Sequence, residues 1–121
     1  MLEKISAVTL ATADMRRAVD FYSRLGFEVL HGGPDGDFTS FRVGDGHLNL
    51  ALRPGYAPGA PWGRVIFYVS DVDAVYAAAQ SAGLQPERAP RDADWHERYF
   101  HILDPDGHEL SFARPLPRQR G

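Results

Sequence analysis

The chain has 121 residues, which is enough for one domain with a core of its own. Its 44% hydrophobic and 24% charged residues are typical of a globular protein, and the net charge of -3 argues against a nucleic-acid partner. No apolar run approaches the roughly 20 residues of a membrane span, no signal peptide is visible, and there are no cysteines. These features exclude disulfides and thiolate metal sites, and they predict a cytoplasmic protein with no membrane partner.

The predicted elements follow the same order in each half of the chain. A strand leads to an Asp, Asp14 or Asp71, whose side chain can accept from the first turn of a helix. Each helix has apolar residues at helical spacing and ends at a glycine, Gly26 or Gly83. The predicted strands of the first half are Ile5–Ala11, Phe27–His31, Phe38–Val43 and Leu48–Leu52. Those of the second half are Val65–Val69, Gln85–Ala89, Arg98–Leu103 and Glu109–Ala113.

The two halves are copies of one unit. AVTLATADMRRAVDFYSRLGF, from Ala7, aligns with RVIFYVSDVDAVYAAAQSAGL, from Arg64, at a constant offset of 57 residues, and GDGHLNLAL resembles PDGHELSFA. We therefore predict one α+β domain of two βαβββ modules, residues 4–53 and 64–115, joined by a Gly/Pro-rich linker at 54–63 and followed by a tail at 116–121. Paired about a pseudo-twofold axis, the modules would form an eight-stranded, partly open curved sheet. Its helices would lie outside and its concave side would form a ligand cleft.

Three segments, VTLATADMRRAVDFYSRLGF, VIFYVSDVDAVYAAAQSAG and WHERYFHILDPDGHELSF, resemble the vicinal oxygen chelate superfamily. This superfamily includes glyoxalase I, extradiol dioxygenases, fosfomycin-resistance enzymes and bleomycin-binding proteins. The resemblance covers nearly the whole chain and implies the same fold. It also implies a homodimer, because small members pair. It does not choose the chemistry, because one scaffold hosts isomerases, dioxygenases, transferases and binders.

Enzymes of the resembled family hold a divalent metal through equivalent positions on the first and last strands of each module. The resemblance places these positions at Ala7, Asn49, Arg64 and Ser111. Alanine cannot ligate, arginine stays protonated and repels a cation, and serine and asparagine are weak neutral donors. The usual metal site is therefore predicted to be absent, and no cofactor is expected.

Strand alternation predicts which side chains face the cleft. Leu110 and Phe112 should face the helix layer, whereas Glu109 and Ser111 should face the cleft. By the same parity the cleft should also receive His47, Asn49, Arg64, Tyr68, Tyr99 and His101. This arrangement leaves open a displaced divalent site formed by His47, His101 and Glu109. His108 should point the other way, as a surface residue of the turn at Gly107.

Arg64 could offer a fork of donors to a carboxylate or phosphate, or it could form a structural ion pair with Glu109. His101 and Glu109 are the candidate catalytic residues, as proton donors or acceptors. His101 could instead be a hydrogen-bonded filler of the cavity, and Glu109 could be an inert structural carboxylate paired with Arg64. The remaining candidate ligand contacts are polar and aromatic residues of the cleft, namely Thr9, His47, Asn49, Tyr68, Trp95, Tyr99 and Ser111.

Besides a scaffold or regulatory partner whose cleft is filled by its own side chains, two functional hypotheses remain. The first is a metal-independent protein that binds a polar or aromatic small molecule, such as an antibiotic, in the manner of bleomycin resistance proteins. The second is an enzyme of lyase or dioxygenase type. It would be either metal-free, with Glu109 or His101 moving protons, or dependent on a divalent ion in the displaced site.

Overall fold

The computed structural model describes residues 1–60 and 62–117. They form two successive βαβββ modules, as predicted. The first contains β1 (Ala7–Thr12), α1 (Met15–Arg24), β2 (Glu28–His31), β3 (Phe38–Val43) and β4 (Gly46–Leu52). The second contains β5 (Arg64–Tyr68), α2 (Val72–Ser81), β6 (Arg91–Asp92), β7 (Glu97–Leu103) and β8 (Glu109–Pro115). From residue 118 onward, the predicted tail lies outside the described residues.

The chain divides into two compact units, each described by itself. The first comprises Met1–Gly59 with Pro105–Gly107, and the second comprises Ala60–Asp104 with the residues from His108 onward. The sheet of the first unit has the strand order β1-β4-β3-β2, and that of the second has the order β5-β8-β7-β6. In each sheet the first and last strands of the module pair in parallel, and the other neighbours are antiparallel.

The two helices begin and end as the sequence predicts. The side chains of Asp14 and Asp71 accept from the backbone N–H groups of Arg17 and Ala74, at 3.1 and 3.0 Å. Gly26 follows the first helix with φ +96°. This left-handed backbone conformation is unfavourable for residues that have a side chain, so it favours glycine. Neither helix of the described residues is long and apolar enough to cross a membrane.

Each unit has its own core between the helix and one face of the sheet. In the first unit Tyr22 of α1 packs near Phe41 of β3, and both side chains are fully buried. In the second unit the rings of Phe67, Phe112 and Phe100 stack in that order, with centroid separations of 5.4 Å. Tyr76 of α2 contacts the Phe100 ring edge to face. Aromatic burial on this scale contributes a large share of the hydrophobic stabilisation of a small unit.

One predicted strand is wrong. Residues 85–89 form no strand, and the pairing with β7 is made instead by the two residues of β6, Arg91 and Asp92. Pro86 and Pro90 explain the difference, because proline has no N–H for a sheet ladder and restricts the residue before it. A single backbone hydrogen bond, from the Glu87 N–H to the His101 carbonyl at 3.0 Å, holds the segment beside β7.

Candidate functional site

The polar face of the second sheet carries the candidate site. Strand register places Arg64 of β5 beside Glu109 of β8, and Ser111 of β8 beside His101 of β7. Leu110 and Phe112 point to the opposite face and are buried. Side chains therefore alternate between the two faces of the sheet along β8, and the strand register brings a cation, a carboxylate and an imidazole together.

Arg64, Glu109 and His101 form a closed triad of short polar contacts, two of which are hydrogen bonds donated by Arg64. The Arg64 Nε donates to Glu109 Oε2 at 3.0 Å, and its Nη1 lies 3.3 Å from His101 Nε2. Because a guanidinium only donates, His101 Nε2 accepts and the ring proton lies on Nδ1. That nitrogen is 3.4 Å from Glu109 Oε1, which closes the triad. The predicted ion pair between Arg64 and Glu109 is thus present.

The surroundings of His101 favour its neutral form. Burial lowers the pKa of His101 below its ordinary value of 6.5, and the Arg64 guanidinium lowers it further. Glu109 and Glu87 oppose this effect, and Arg91 reinforces it. His101 is accordingly uncharged at neutral pH, as its role as acceptor from Arg64 requires.

Glu87 adds a second carboxylate beside His101, with its Oε2 3.8 Å from the ring Nδ1. Potential ligand atoms of Glu87, His101 and Glu109 all lie within 4.8 Å of one another. Arg64, however, is bonded to two of these three residues, and its fixed positive charge repels a divalent cation. The donor set in this arrangement does not fit the metal of the resembled enzymes, and neither do the side chains of Ala7, Asn49, Arg64 and Ser111.

An aromatic row runs along the same face of the second sheet. Its members are Trp95, Tyr99 and His101, with ring centroids 5.3 and 5.0 Å apart. Trp95 is 58% exposed, and its Nε1 donates to Glu97 at 3.1 Å. The Tyr68 hydroxyl donates to the other oxygen of the same carboxylate, and this hydrogen bond raises the pKa of Tyr68. The outer end of the row therefore presents aromatic surface to solvent.

A cavity of about 210 Å³ lies at the inner end of the aromatic row. We call it the arginine hollow, and its lining residues are Arg64, Glu87, Arg88, Ala89, Arg91, Tyr99, Phe100, His101 and Glu109. The Arg91 Nε donates to the Tyr99 hydroxyl at 2.8 Å, and its guanidinium carbon lies 5.2 Å from the centroid of that ring. The arginine hollow is thus a charged pocket that lies next to an aromatic surface.

The equivalent face of the first sheet carries Ser40, Asn49 and Thr9, together with an ion pair in which Arg42 Nε lies 3.9 Å from Glu28 Oε2. Ser40 donates to the Asn49 side-chain oxygen at 2.7 Å, and the Asn49 amide donates to the Thr9 hydroxyl at 3.2 Å. His47 lies exposed beside Ala7 in the strand register. The predicted contacts Thr9, His47 and Asn49 therefore belong to the first unit.

Several site residues escape prediction from sequence. Glu87, Arg88 and Arg91 lie in the segment wrongly predicted as a strand or just beyond it, so alternation cannot place their side chains. The only available signal is the density of charge in PERAPRD. The surface position predicted for His108 is also wrong. This residue is buried, and its Nδ1 accepts from Trp62 Nε1 at 2.9 Å.

Comparison with known proteins gives matches along most of the chain. The uncharacterized protein Mb0911c of Mycobacterium bovis is 29% identical, over 88% of this chain and 80% of its own length. The crystal structure of TioX from Micromonospora sp. ML1 is 29% identical and superposes with a TM-score of 0.77, covering 94% of this chain and all of TioX.

A bleomycin-binding protein solved in complex with bleomycin is 26% identical, with a TM-score of 0.76. That match covers 93% of this chain and 98% of the other. Residues 4–112 match the family model of the Glyoxalase/Bleomycin resistance protein/Dioxygenase superfamily. The chain therefore belongs to this superfamily, whose fold the resemblance implied.

Proposed function

We propose that the protein binds a small molecule with an aromatic part on the polar face of its second sheet, without a metal ion. The observation that carries this proposal is the triad of Arg64, Glu109 and His101. In it the Arg64 guanidinium contacts Glu109 and His101, the two side chains of the triad that could otherwise bind a metal ion. The triad lies next to the aromatic row, whose outer end is exposed. Stacking surface beside directed polar groups is the usual composition of a small-molecule site.

The relatives support this class of function. A structural neighbour at 26% identity is a bleomycin-binding protein, so the scaffold can serve as a binder. Here Arg64 would hold the polar end of the ligand, with Ser111 beside the triad, and Trp95, Tyr99 and Tyr68 would contact its ring. An antibiotic is one candidate ligand. The homodimer implied by the resemblance stays a prediction, which light scattering of the purified protein tests.

A thermal-shift screen of aromatic antibiotics and aromatic organic acids, in the presence of a chelator, tests the proposal. A ligand at 100 times its Kd stabilises the folded state by about 2.7 kcal/mol. We expect compounds that raise the Tm of the wild type and lose this effect in Arg64→Ala. The matched control is Arg16→Ala, which removes an exposed arginine of α1 in the other unit. Equal shifts in the wild type and Arg64→Ala, or shifts that require added metal, would contradict the proposal.

A second candidate function is metal-free proton transfer by the pair of His101 and Glu109. The observation in its favour is the 3.4 Å separation of His101 Nδ1 from Glu109 Oε1, beside an open cavity. The experiment is to follow each bound compound by mass spectrometry over time. Turnover that is lost in Glu109→Gln, with binding retained, would favour this enzyme over a binding protein.

A further inference from the structure

The charges around the arginine hollow do not balance. Three arginines, Arg64, Arg88 and Arg91, are among its lining residues, together with the acidic residues Glu87 and Glu109. His101 is neutral at pH 7 because its pKa lies below 6.5. One positive charge therefore remains in a chain whose formal net charge is -3. A positive pocket on an acidic protein selects for an anion.

Donors for such an anion remain available. Arg64 uses Nε and Nη1 within the triad, which leaves Nη2. Arg91 donates to Tyr99 through Nε, and its two terminal nitrogens make no ion pair with any described residue. Arg88 likewise makes no ion pair within residues 1–60 and 62–117. The guanidinium fork matches the geometry of an oxyanion, to which charge-assisted hydrogen bonds are strong.

The size of the arginine hollow defines which part of a ligand it holds. A cavity of about 210 Å³ is smaller than the 300–1,000 Å³ typical of whole-ligand pockets, so it has room for a carboxylate or phosphate group and part of the ring that carries it. The ring that carries this group would then lie along Tyr99 and Trp95, toward the exposed end of the aromatic row.

We infer that the ligand of the proposed function is a small aromatic acid, whose oxyanion binds Arg64, Arg88 and Arg91 while its ring stacks on the aromatic row. The inference rests on the proposed function, and it adds Arg88 and Arg91 as determinants of ligand charge. It also predicts a linked proton. An anion in the hollow offsets the charge of Arg64 and Arg91, which raises the pKa of His101, so binding below pH 6.5 takes up a proton.

Four naphthalene probes substituted at the same ring position test the inference: 2-naphthoate, 2-naphthyl phosphate, 2-naphthamide and 2-naphthylmethylammonium. Isothermal titration gives each Kd, and the indole N–H signal of Trp95 in NMR spectra reports ring binding whatever the charge. We expect at least one of the two anions to bind about tenfold more tightly than the amide, and the ammonium compound to bind most weakly. The naphthoate and phosphate arms show which oxyanion is preferred.

Arg88→Gln and Arg91→Gln should each weaken binding of the preferred anion by about tenfold. Arg16→Gln, an exposed arginine of α1, should leave that affinity unchanged. Arg88 makes no side-chain hydrogen bond to any described residue, so its variant tests the charge without disturbing the fold. Titration below pH 6.5 in buffers of different ionisation enthalpy should show proton uptake in the wild type and not in His101→Asn.

The possible outcomes separate the two proposals. Equal affinity for the anions and the amide, or preference for the ammonium compound, overturns the inference and leaves small-molecule binding intact. Anion preference that survives in both Arg88→Gln and Arg91→Gln overturns the assignment of these residues. No change in the Trp95 signal with any probe at millimolar concentration overturns both proposals.

Discussion

Two strand pairs occupy equivalent positions in the two modules. In the first module Ala7 of β1 lies beside His47 of β4, and in the second Arg64 of β5 lies beside Glu109 of β8. The backbone pairing is parallel in both cases, yet the first pair carries no ion pair and the second is the centre of a charged triad. The backbone pairing is thus repeated, whereas among the described residues the charged triad is found in the second copy. Substitutions at equivalent positions can therefore separate what the fold requires from what the site requires.

The largest expected effect on stability is that of replacing Gly32 by alanine, and Gly83 serves as its comparison. Both have φ +80°, but a Cβ at Gly32 would overlap the Phe38 carbonyl oxygen and lie 3.0 Å from the Thr39 Cα, whereas a Cβ at Gly83 would meet nothing within 4 Å. We expect Gly83→Ala to lower the free energy of unfolding by about 1 kcal/mol, through backbone strain alone. Gly32→Ala should lower it by about 3 kcal/mol or more. Urea denaturation measures both, and equal losses would show that the close approach at Gly32 is unimportant.

The ion pair of the second module is expected to contribute less. A double-mutant cycle with Arg64→Gln and Glu109→Gln should give a coupling energy of about 0.5 to 1 kcal/mol, because the Arg64 side chain is 43% exposed. In the first module His47→Gln should change stability by no more than about 0.5 kcal/mol. A coupling near zero would mean that the triad is a loose arrangement of surface groups.

The two members of the ion pair should shift the pKa of His101 in opposite directions. Arg64→Gln removes a positive neighbour and should raise this pKa, whereas Glu109→Gln removes a negative one and should lower it. NMR titration of the His101 ring measures both changes, with Arg16→Gln as the control. Shifts of the same sign in the two variants would contradict the triad.

The same shifts make stability depend on pH. Because the pKa of His101 is lower in the folded state than the ordinary 6.5, the unfolded chain binds the proton first. Stability from this source is present above pH 6.5 and is lost as the pH falls toward the folded-state pKa. The loss should be shallower in Arg64→Gln and steeper in Glu109→Gln, as measured by urea denaturation between about pH 7 and pH 5.

Arg98 is expected to give the smallest effect. It donates to both oxygens of Asp73 in α2, at 2.9 and 2.8 Å, and to Asp92 in β6 at 3.0 Å. These contacts raise the pKa of Arg98 and lower that of Asp73, but all three groups are solvent-accessible. Arg98→Gln should therefore lower the Tm by no more than a few degrees, and high salt should shrink the difference. A larger fall would indicate that α2 depends on this contact for its position.

The repeat made much of the fold predictable. An N-capping Asp, a stopping Gly and period-two alternation are local signals, so α1, α2 and seven of the eight strands fall within about two residues of their predicted bounds. Alternation alone also predicts that Arg64, His101 and Glu109 share one face of the sheet. Local pattern thus suffices wherever a side chain belongs to a regular strand.

The charged segment around Glu87 shows where that reasoning fails. Because of two prolines, this segment is irregular and not the expected strand. The hydrogen bond from the Glu87 N–H to the His101 carbonyl then places the Glu87 side chain beside the imidazole. Arg88 and Arg91 line the arginine hollow for the same reason. No periodicity encodes these positions, because they follow from tertiary contacts and not from a repeating backbone conformation.

Elemental analysis tests most directly whether Arg64 keeps a metal ion away from Glu87, His101 and Glu109. The protein would be purified without chelator and then dialysed against Ni²⁺, Mn²⁺, Zn²⁺ or Fe²⁺ in turn, with Glu109→Ala treated in parallel. The account predicts no stoichiometric ion in the wild type under any of these conditions. One divalent ion per chain in the wild type, absent from Glu109→Ala, would contradict it.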